Sequence, residues 1–301
     1  MAEISALMGA LRGQQIPFVE KEPLSRHTTF RIGGPAAVLC LPETPAQLLR
    51  ALELCREYGV RTYLLGNGSN TLFADEGFDG AVICTVDLRA PVTVTGTTVS
   101  APAGASLAAV CREAQKAGLT GLEFAYGIPG TVGGAVYMNA GAYGGELKQV
   151  LSRVTFLDKD LRLETLPVEE LALGYRTSRF ETDGGSILEA VFQLQPGDPQ
   201  AIEARMQELM ARRREKQPLE LPSAGSTFKR PEGAFAGQLI EQCGLRGFAV
   251  GGAAVSTKHC GFVVNTGGAT CADVIRLTDE IQKIVEEKTG YRLSREIRVV
   301  R

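Results

Sequence analysis

One segment of this chain is far richer in glycine than the rest. Nine of the 28 residues at positions 118–145 are glycine, where the overall content of 35 glycines in 301 residues predicts about three. Glycine has no Cβ, so backbone can come close to another group and φ can be positive. The segment is also apolar and poor in charge, which makes a long exposed loop costly unless something covers it. A ligand-binding segment and a glycine-rich surface loop both remain open.

A second, shorter glycine loop lies at residues 66–70, directly after a predicted strand at 61–65. Its sequence, Gly-Asn-Gly-Ser-Asn, offers backbone N–H groups and polar side chains that can surround an anion such as a pyrophosphate. A plain tight turn explains the loop equally well. Neither segment is a P-loop, and Thr71 stands where the dinucleotide fingerprint needs its third glycine. Together the two segments suit an extended cofactor that contains phosphate.

Composition excludes several classes of protein. Hydrophobic content of 44%, charged content of 22% and a net charge of -2 exclude a disordered or membrane-embedded chain and disfavour a nucleic-acid partner. The seven cysteines are an odd number and lie at least 11 residues apart, so no C-x-x-C motif exists and core positions are expected. No metal site is expected. No signal peptide or 18-residue apolar run occurs, so we expect a cytoplasmic protein without a membrane partner.

Four helices have clear boundary signals. Thr44 and Pro45 begin the first, which Gly59 ends, and Gly118 ends the second, at 107–117. Asp198 and Pro199 begin a third helix that ends in the arginines 212–214, either as a solvated helix end or as a phosphate clamp. The fourth helix, at 270–289, has a capping box of Thr270 and Asp273 and ends at Gly290.

Segments rich in β-branched residues predict short strands, and the mixture with helices predicts the α+β class. The predicted strands are 61–65, 82–86, 93–95, 98–101, 154–157, 162–166, 187–194, 254–256, 261–264 and 296–300.

The order and spacing of several short motifs resemble the UDP-N-acetylenolpyruvoylglucosamine reductase (UDP-N-acetylmuramate dehydrogenase) family, in its shorter subtype without an inserted tyrosine loop. The motifs are Thr-Thr-Phe-Arg-Ile-Gly-Gly at 28–34, the two glycine segments, Tyr-Arg-Thr-Ser-Arg-Phe at 175–180, Ser-Ala-Gly-Ser-Thr-Phe-Lys-Arg-Pro at 223–231, Phe-Val-Val-Asn at 262–265 and Glu-Ile-Arg at 296–298.

The resemblance implies a two-lobed FAD-binding fold of the vanillyl-alcohol-oxidase type, followed by an α+β substrate-binding lobe. The expected boundaries are 1–85 and 86–196 for the FAD lobes and 197–301 for the substrate lobe. Packing of the tail 295–301 back onto an FAD lobe is left open. The resemblance also implies a monomer that holds FAD non-covalently and uses NADPH to reduce a UDP-sugar enolpyruvyl ether.

The resemblance assigns three catalytic residues. Arg176 would stabilise the substrate carboxylate, Ser226 would donate a proton, and Glu296 would be the acidic partner. Taken without the resemblance, Arg176 is a strand-surface ion-pair residue, Ser226 a turn or cap residue, and Glu296 a partner of a neighbouring arginine.

The resemblance also implies binding residues. The implied FAD contacts are Gly66, Asn67, Gly68, Ser69, Asn70, Gly127, Ile128, Pro129, Gly130, Thr131, Val132, Gly133, Gly134, Asn139, Gly141 and Ala142. The substrate-side candidates are Tyr175, Lys216, Lys229, Arg230 and His259. His27 could tether FAD as in some flavin oxidases, but it is expected to be a structural residue.

Two other functions remain open. The same fold could serve an FAD oxidase or dehydrogenase of a small hydroxylated substrate, which would have no reason to retain Arg176, Ser226 and Glu296 together. A nucleotide-sugar-binding protein without turnover would be colourless when purified.

Overall fold

The computed structural model describes residues 2–88 and 90–301, and the chain divides into two units. The first comprises Met1–Glu20, Val38–Asn67 and Gly80–Arg213. The second comprises Lys21–Ala37, Gly68–Asp79 and Arg214–Arg301. The division into three lobes at 85/86 and 196/197 stays a prediction.

Eight α-helices occur in the described residues. They are α1 (Ala2–Gly13), α2 (Pro45–Glu57), α3 (Leu107–Lys116), α4 (Val132–Tyr137), α5 (Phe180–Asp183), α6 (Pro199–Lys216), α7 (Ala236–Gln242) and α8 (Cys271–Thr289).

Nineteen strands, many of them very short, accompany the helices in the described residues. They are β1 (Phe18–Glu20), β2 (Ala36–Cys40), β3 (Thr62–Leu65), β4 (Thr71–Phe73), β5 (Phe78–Cys84), β6 (Thr93–Thr95), β7 (Thr98–Pro102), β8 (Leu119–Thr120), β9 (Gly141–Ala142), β10 (Gly145–Glu146), β11 (Leu151–Leu157), β12 (Leu163–Pro167), β13 (Ser186–Gln193), β14 (Gln195–Pro196), β15 (Ser223–Ser226), β16 (Ala249–Val250), β17 (Ala253–Val255), β18 (Phe262–Asn265) and β19 (Arg298–Val300).

Three larger sheets organise these strands. One has the order β1-β2-β5-β3, with β3 parallel to β5, and a five-stranded antiparallel sheet has the order β12-β11-β13-β7-β6. The second unit contains the antiparallel sheet β15-β18-β17-β16 and the parallel pair β19-β4. The α+β class is therefore confirmed.

Each unit has its own apolar core. The first unit has one cluster between the five-stranded sheet and α3, α4 and α6, and another between α1, α2 and the mixed sheet. The second unit packs α7 and α8 on its four-stranded sheet. All seven cysteines are buried free thiols, as predicted, and burial raises the pKa of Cys55 and Cys111 to about 12.

The four predicted helices exist, and their boundary signals operate as expected. The Thr44 side chain caps α2, and the Asp198 carboxylate accepts hydrogen bonds from the first turn of α6. Thr270 and Asp273 form the complete capping box of α8, and Gly290 ends that helix in the left-handed conformation. These signals are local, which is why they can be recognised in the sequence.

Four helices were not predicted, namely α1, α4, α5 and α7. Helix α1 lies in the first 13 residues, for which the sequence analysis assigned no element. Helix α4 lies inside the glycine-rich segment, whose interpretation as one continuous loop is wrong there. Two glycines oppose a helix in α4, but the Thr131 hydroxyl caps it, and a Cβ built on Gly133 would lie 3.0 Å from the Ala103 side chain.

Several strand boundaries also differ from the prediction. Strand β5 begins at Phe78 rather than at 82, β11 begins at Leu151 rather than at 154, and β19 begins at Arg298 rather than at 296. The backbone N–H of Glu296 donates to the Thr227 carbonyl instead of joining the ladder with β4. In residues 2–88 and 90–301, no helix combines the length and the apolar character needed to cross a bilayer.

Asp273 connects the start of α8 to a neighbouring glycine turn. Its carboxylate accepts from the backbone N–H groups of Thr270 (3.1 Å) and Gly252 (3.3 Å) and pairs with Arg276 (2.6 Å). These donors, chiefly the Thr270 N–H, lower the pKa of Asp273 to about 2. Because the pKa is lower in the folded state, the carboxylate stabilises the fold above its unfolded pKa, and the stabilisation disappears as pH falls from about 4 to about 2.

We therefore expect Asp273→Asn to lower the free energy of unfolding at pH 7 by about 1–3 kcal/mol, since charge-assisted hydrogen bonds are lost. The difference from the wild type should shrink between pH 4 and pH 3 in urea titrations. Glu280→Gln, at an exposed position of the same helix, is the control and should be close to neutral. An equal cost at pH 7 and pH 3 would contradict the assigned role of the charge.

Candidate functional site

The two glycine segments touch each other within the first unit. The side-chain amide of Asn67 donates to the Pro129 carbonyl at 2.7 Å. A Cβ built on Gly66 would lie only 2.4 Å from the Thr131 hydroxyl oxygen, so that position requires glycine. The structure thus brings together two segments that lie more than 60 residues apart in the sequence.

The 66–70 loop offers unused backbone donors. In the described part of the chain, the N–H groups of Gly66, Asn67, Gly68 and Ser69 donate to no acceptor. Successive unpaired N–H groups attract an anion, and phosphate is the usual occupant of such a loop in proteins. This row of donors fits the pyrophosphate that the sequence predicted.

Gly68 fixes the shape of this loop in the second unit. Its φ is +58°, a conformation that glycine adopts without strain. A Cβ at this position would lie 2.3 Å from the His27 carbonyl oxygen and 2.8 Å from the Thr28 Cα. The Gly68 carbonyl in turn accepts a hydrogen bond from the Thr29 N–H. Any side chain at position 68 would therefore displace the loop.

The second glycine segment is held by backbone hydrogen bonds to residues 103 and 105 and by the side chain of Asn139. The N–H groups of Val132 and Gly133 donate to the carbonyls of Ala105 and Ala103, each at 2.8 Å. The Asn139 side chain, which is buried, donates to the Glu146 carboxylate and the Gly174 carbonyl and accepts from the Lys148 N–H. Its amide is thus occupied by protein groups, and a cofactor contact at Asn139 would have to use the backbone.

The turn that Asn139 anchors contains Arg176. Gly174 and Thr177 exchange backbone hydrogen bonds across the turn, and Arg176 adopts φ +56°, which is rare for a residue with a Cβ. The guanidinium donates to the Gly141 carbonyl at 3.0 Å and lies 5.1 Å from the centroid of the half-exposed Tyr175 ring. Strained backbone is often retained at functional sites. The structure thus places Arg176 directly beside the glycine segment.

Ser226 and Glu296 are brought together in the second unit through Thr227. Ser226 ends β15, and the Thr227 carbonyl accepts the Glu296 N–H at 2.8 Å. Thr227 is itself buried and fixed, because its N–H donates to Gly261 and its hydroxyl accepts the Val263 N–H. A backbone hydrogen bond thus links Glu296 to Thr227, the residue after Ser226, although the two predicted catalytic residues lie 70 residues apart in the sequence.

The arginine next to Glu296 has another partner. The Arg295 guanidinium pairs with Asp279 and donates to the Thr278 hydroxyl, both on α8. Arg295, the residue before Glu296, thus attaches the tail 295–301 to α8.

The predicted substrate-side residues have varied surroundings. His259 is half-buried, which lowers its pKa, and its Nδ1 accepts the Gly261 N–H at 3.0 Å. The Arg230 guanidinium lies 4.4 Å from the centroid of the Phe235 ring, and Lys229 is tied through its N–H to Ser294. Lys216 is exposed at the end of α6. His27 contacts the Glu22 carboxylate at 3.0 Å.

Two of the three arginines at the end of α6 have different surroundings. Arg212 pairs with Glu208 at 2.5 Å and is exposed. Arg213 is half-buried, and this burial lowers its pKa. A Cβ built on Gly127 would lie 3.1 Å from the Arg213 Cδ, so the arginine side chain lies against the glycine segment. Arg213 has no acidic partner among residues 2–88 and 90–301. Neighbouring helical residues point about 100° apart, so the sequence run alone could not identify Arg213 as the residue beside the glycine segment.

Unpaired backbone N–H groups, on loops whose close contacts leave no room for a Cβ, are typical of a cofactor site. Comparison with known families identifies the cofactor. Residues 35–166 match the FAD-binding domain, and residues 217–300 match the C-terminal domain of UDP-N-acetylenolpyruvoylglucosamine reductase. The protein is therefore an FAD-binding oxidoreductase.

Full-length comparisons specify the family. The UDP-N-acetylenolpyruvoylglucosamine reductase of Clostridium perfringens is 46% identical over 298 residues, which cover 99% of this chain and 97% of that protein. The reductase of the same name from Limosilactobacillus fermentum is 46% identical over 286 residues, which cover 95% of each chain. The crystal structure of the Thermus caldophilus reductase superposes with a TM-score of 0.81 at 37% identity, covering 95% of this chain and 99% of that one.

The chain belongs to the UDP-N-acetylenolpyruvoylglucosamine reductase family, flavoprotein oxidoreductases of peptidoglycan precursor synthesis. The resemblance inferred from the motifs is confirmed, as are the FAD-binding fold and the C-terminal domain. Membership of the shorter subtype and the roles of individual site residues stay predictions.

A comparison of two glycines tests the loop. Gly68 and Gly96 share φ +58°, but nothing lies within 4 Å of a Cβ on Gly96. We expect Gly68→Ala to weaken FAD binding by at least about tenfold, equivalent to about 1.4 kcal/mol, because the loop must move. Gly96→Ala should cost about 1–2 kcal/mol of stability and leave FAD binding intact.

The measurement is the flavin-to-protein absorbance ratio after gel filtration, with a titration of the apoprotein by FAD. Equal flavin content in the two variants would show that the close approach at Gly68 does not shape the cofactor site.

Proposed function

We propose that this protein reduces the enolpyruvyl ether of UDP-N-acetylglucosamine-enolpyruvate to UDP-N-acetylmuramate, with NADPH as the reductant. The observation that carries the proposal is the backbone hydrogen bond between Glu296 and Thr227, the residue after Ser226. A reductase of this family needs a proton donor held in place, and the hydrogen bonds of Thr227 hold the backbone next to Ser226.

The cofactor site supports this chemistry. When bound at this site and reduced by NADPH, FAD would supply the hydride for the vinyl methylene carbon of the substrate. The N–H groups of residues 66–69 would bind its pyrophosphate, and the predicted contacts within residues 127–142 would line its path along the second glycine segment. Arg213, which has no acidic partner in the described chain, adds a permanent positive charge beside Gly127.

Arg176 stabilises the negative charge that develops on the substrate. A guanidinium is always charged and can grip a carboxylate through two parallel hydrogen bonds. The bond to the Gly141 carbonyl and the constrained turn at φ +56° orient the side chain before substrate binds. Such pre-orientation reduces the reorganisation needed at the transition state.

Ser226 completes the reduction. Its hydroxyl delivers a proton to the carbon that bears the carboxylate, so that the double bond gains one hydride and one proton. Glu296 belongs to the hydrogen-bonded set around the developing enolate. The positive charges of Lys229 and Arg230 either favour proton loss from the serine or bind a substrate phosphate.

The remaining assignments are also proposals. Tyr175, Lys216 and His259 contact the substrate, with Lys216 as a point charge for its diphosphate and His259 in its neutral form. The protein is a cytoplasmic monomer with three lobes of residues 1–85, 86–196 and 197–301, and the placement of the tail 295–301 on an FAD lobe remains open.

The proposal predicts two separable half-reactions. Under anaerobic conditions, stopped-flow absorbance near the flavin maximum should fall on mixing with NADPH and recover on mixing with the enolpyruvyl UDP-sugar. Bleaching of the flavin by a small hydroxylated substrate, with recovery only on adding oxygen or another electron acceptor, would instead identify an oxidase or dehydrogenase. A colourless protein that cannot be loaded with FAD would overturn the flavoenzyme proposal.

Ser226→Ala tests the proton donor. We expect reduction by NADPH at the wild-type rate and reoxidation by the substrate slowed about 10²–10⁴-fold, the usual contribution of a positioned acid. Ser223→Ala, at the other end of β15, is the matched control and should reoxidise normally. If Ser226→Ala slowed both half-reactions equally, the serine would be structural.

A further inference from the structure

The peptide groups on both sides of Glu296 are held by hydrogen bonds. Its N–H donates to the Thr227 carbonyl at 2.8 Å, and its carbonyl accepts from the side-chain amide of Asn70 at 3.1 Å. Because peptide groups are planar, fixing both of them restricts φ and ψ of Glu296 and thus the direction of its Cα–Cβ bond. The Glu296 side chain therefore projects from an anchored backbone position.

The surrounding strand pair is small. Strand β19 has three residues and pairs in parallel with β4, with Arg298 opposite Thr71. The ladder is continued by one further bond, from the Arg298 N–H to the Asn70 carbonyl at 2.9 Å. A parallel pair of three residues is a weak support. The Asn70 side chain extends this support by two residues, to Glu296.

The two asparagines of the 66–70 loop thus have different partners. Asn67 donates to the Pro129 carbonyl in the first unit, which belongs to the second glycine segment. Asn70 donates to the Glu296 carbonyl in the second unit. The family resemblance implies an FAD contact for both asparagines, and their hydrogen bonds distinguish them.

We propose that Asn70 is a positioning residue for Glu296 in the substrate half-reaction, and that its side chain contributes little to holding FAD. This inference rests on the proposed function, in which Glu296 belongs to the hydrogen-bonded set around the enolate. Asn70 acts through the backbone of Glu296 and does not itself touch the reacting atoms.

The test compares Asn70→Ala with Asn67→Ala. Asn70→Ala should keep its flavin content and its rate of reduction by NADPH, while reoxidation by the enolpyruvyl UDP-sugar slows about 10–100-fold, the effect of misplacing a reacting group by about 1 Å. The dissociation constant of the substrate, from titration of the oxidised flavin spectrum, should stay within about twofold. Asn67→Ala should instead lower the flavin-to-protein ratio.

A double-mutant cycle distinguishes positioning from general support of the fold. If Asn70 acts through Glu296, adding Asn70→Ala to Glu296→Gln should change reoxidation by less than about twofold. If Asn70→Ala folds poorly by circular dichroism, Asn70→Asp, which keeps the shape but lacks the N–H donor, takes its place in the cycle. Multiplicative effects, loss of flavin, or equal slowing of both half-reactions would overturn the inference.

The outcome is separable from that of the proposed function. Failure of the wild-type protein to be reoxidised by the enolpyruvyl UDP-sugar would overturn the proposed function. Normal reoxidation by the wild type together with normal reoxidation by Asn70→Ala would overturn only the role of Asn70.

Discussion

The site depends on how closely other backbone and side-chain atoms approach the 66–70 loop. Thr131 lies where a Cβ of residue 66 would be, and the His27 carbonyl lies where a Cβ of residue 68 would be. With both positions restricted to glycine, the loop adopts a conformation in which four consecutive N–H groups have no acceptor among residues 2–88 and 90–301. Unpaired N–H groups cost free energy unless water or a ligand accepts from them, so this loop is suited to an anionic ligand.

Elements with local signals could be predicted from the sequence, and elements without them could not. The capping box of Thr270 and Asp273 and the Asp198-Pro199 start each lie within a few residues of the helix they begin. Helix α4 has the opposite character, because its two glycines favour a loop and its stability comes from Ala103 and Ala105, some 30 residues earlier. Intrinsic propensity is a weak guide where tertiary hydrogen bonds decide the conformation.

The same limit applies to the candidate site. Motifs identified the family and the residue types, because the motifs are contiguous in sequence. They did not reveal the hydrogen bonds from Asn67 to Pro129 and from Asn70 to Glu296. Nor did they reveal that Arg213 lies beside Gly127, whereas Arg212 pairs with Glu208. Each of these contacts joins positions that only the folded chain brings together. The structure therefore adds partners to residues whose chemical type was already apparent.

The partners of Arg176 and Glu296 suggest a common way of orienting charged groups. Arg176 stands in a turn whose two ends exchange hydrogen bonds, and its guanidinium is held by the Gly141 carbonyl. Glu296 stands on a tail whose adjacent peptides are held by Thr227 and Asn70. In both cases neutral backbone carbonyls or amides do the orienting. Groups held in position before substrate binds need less reorganisation during the reaction.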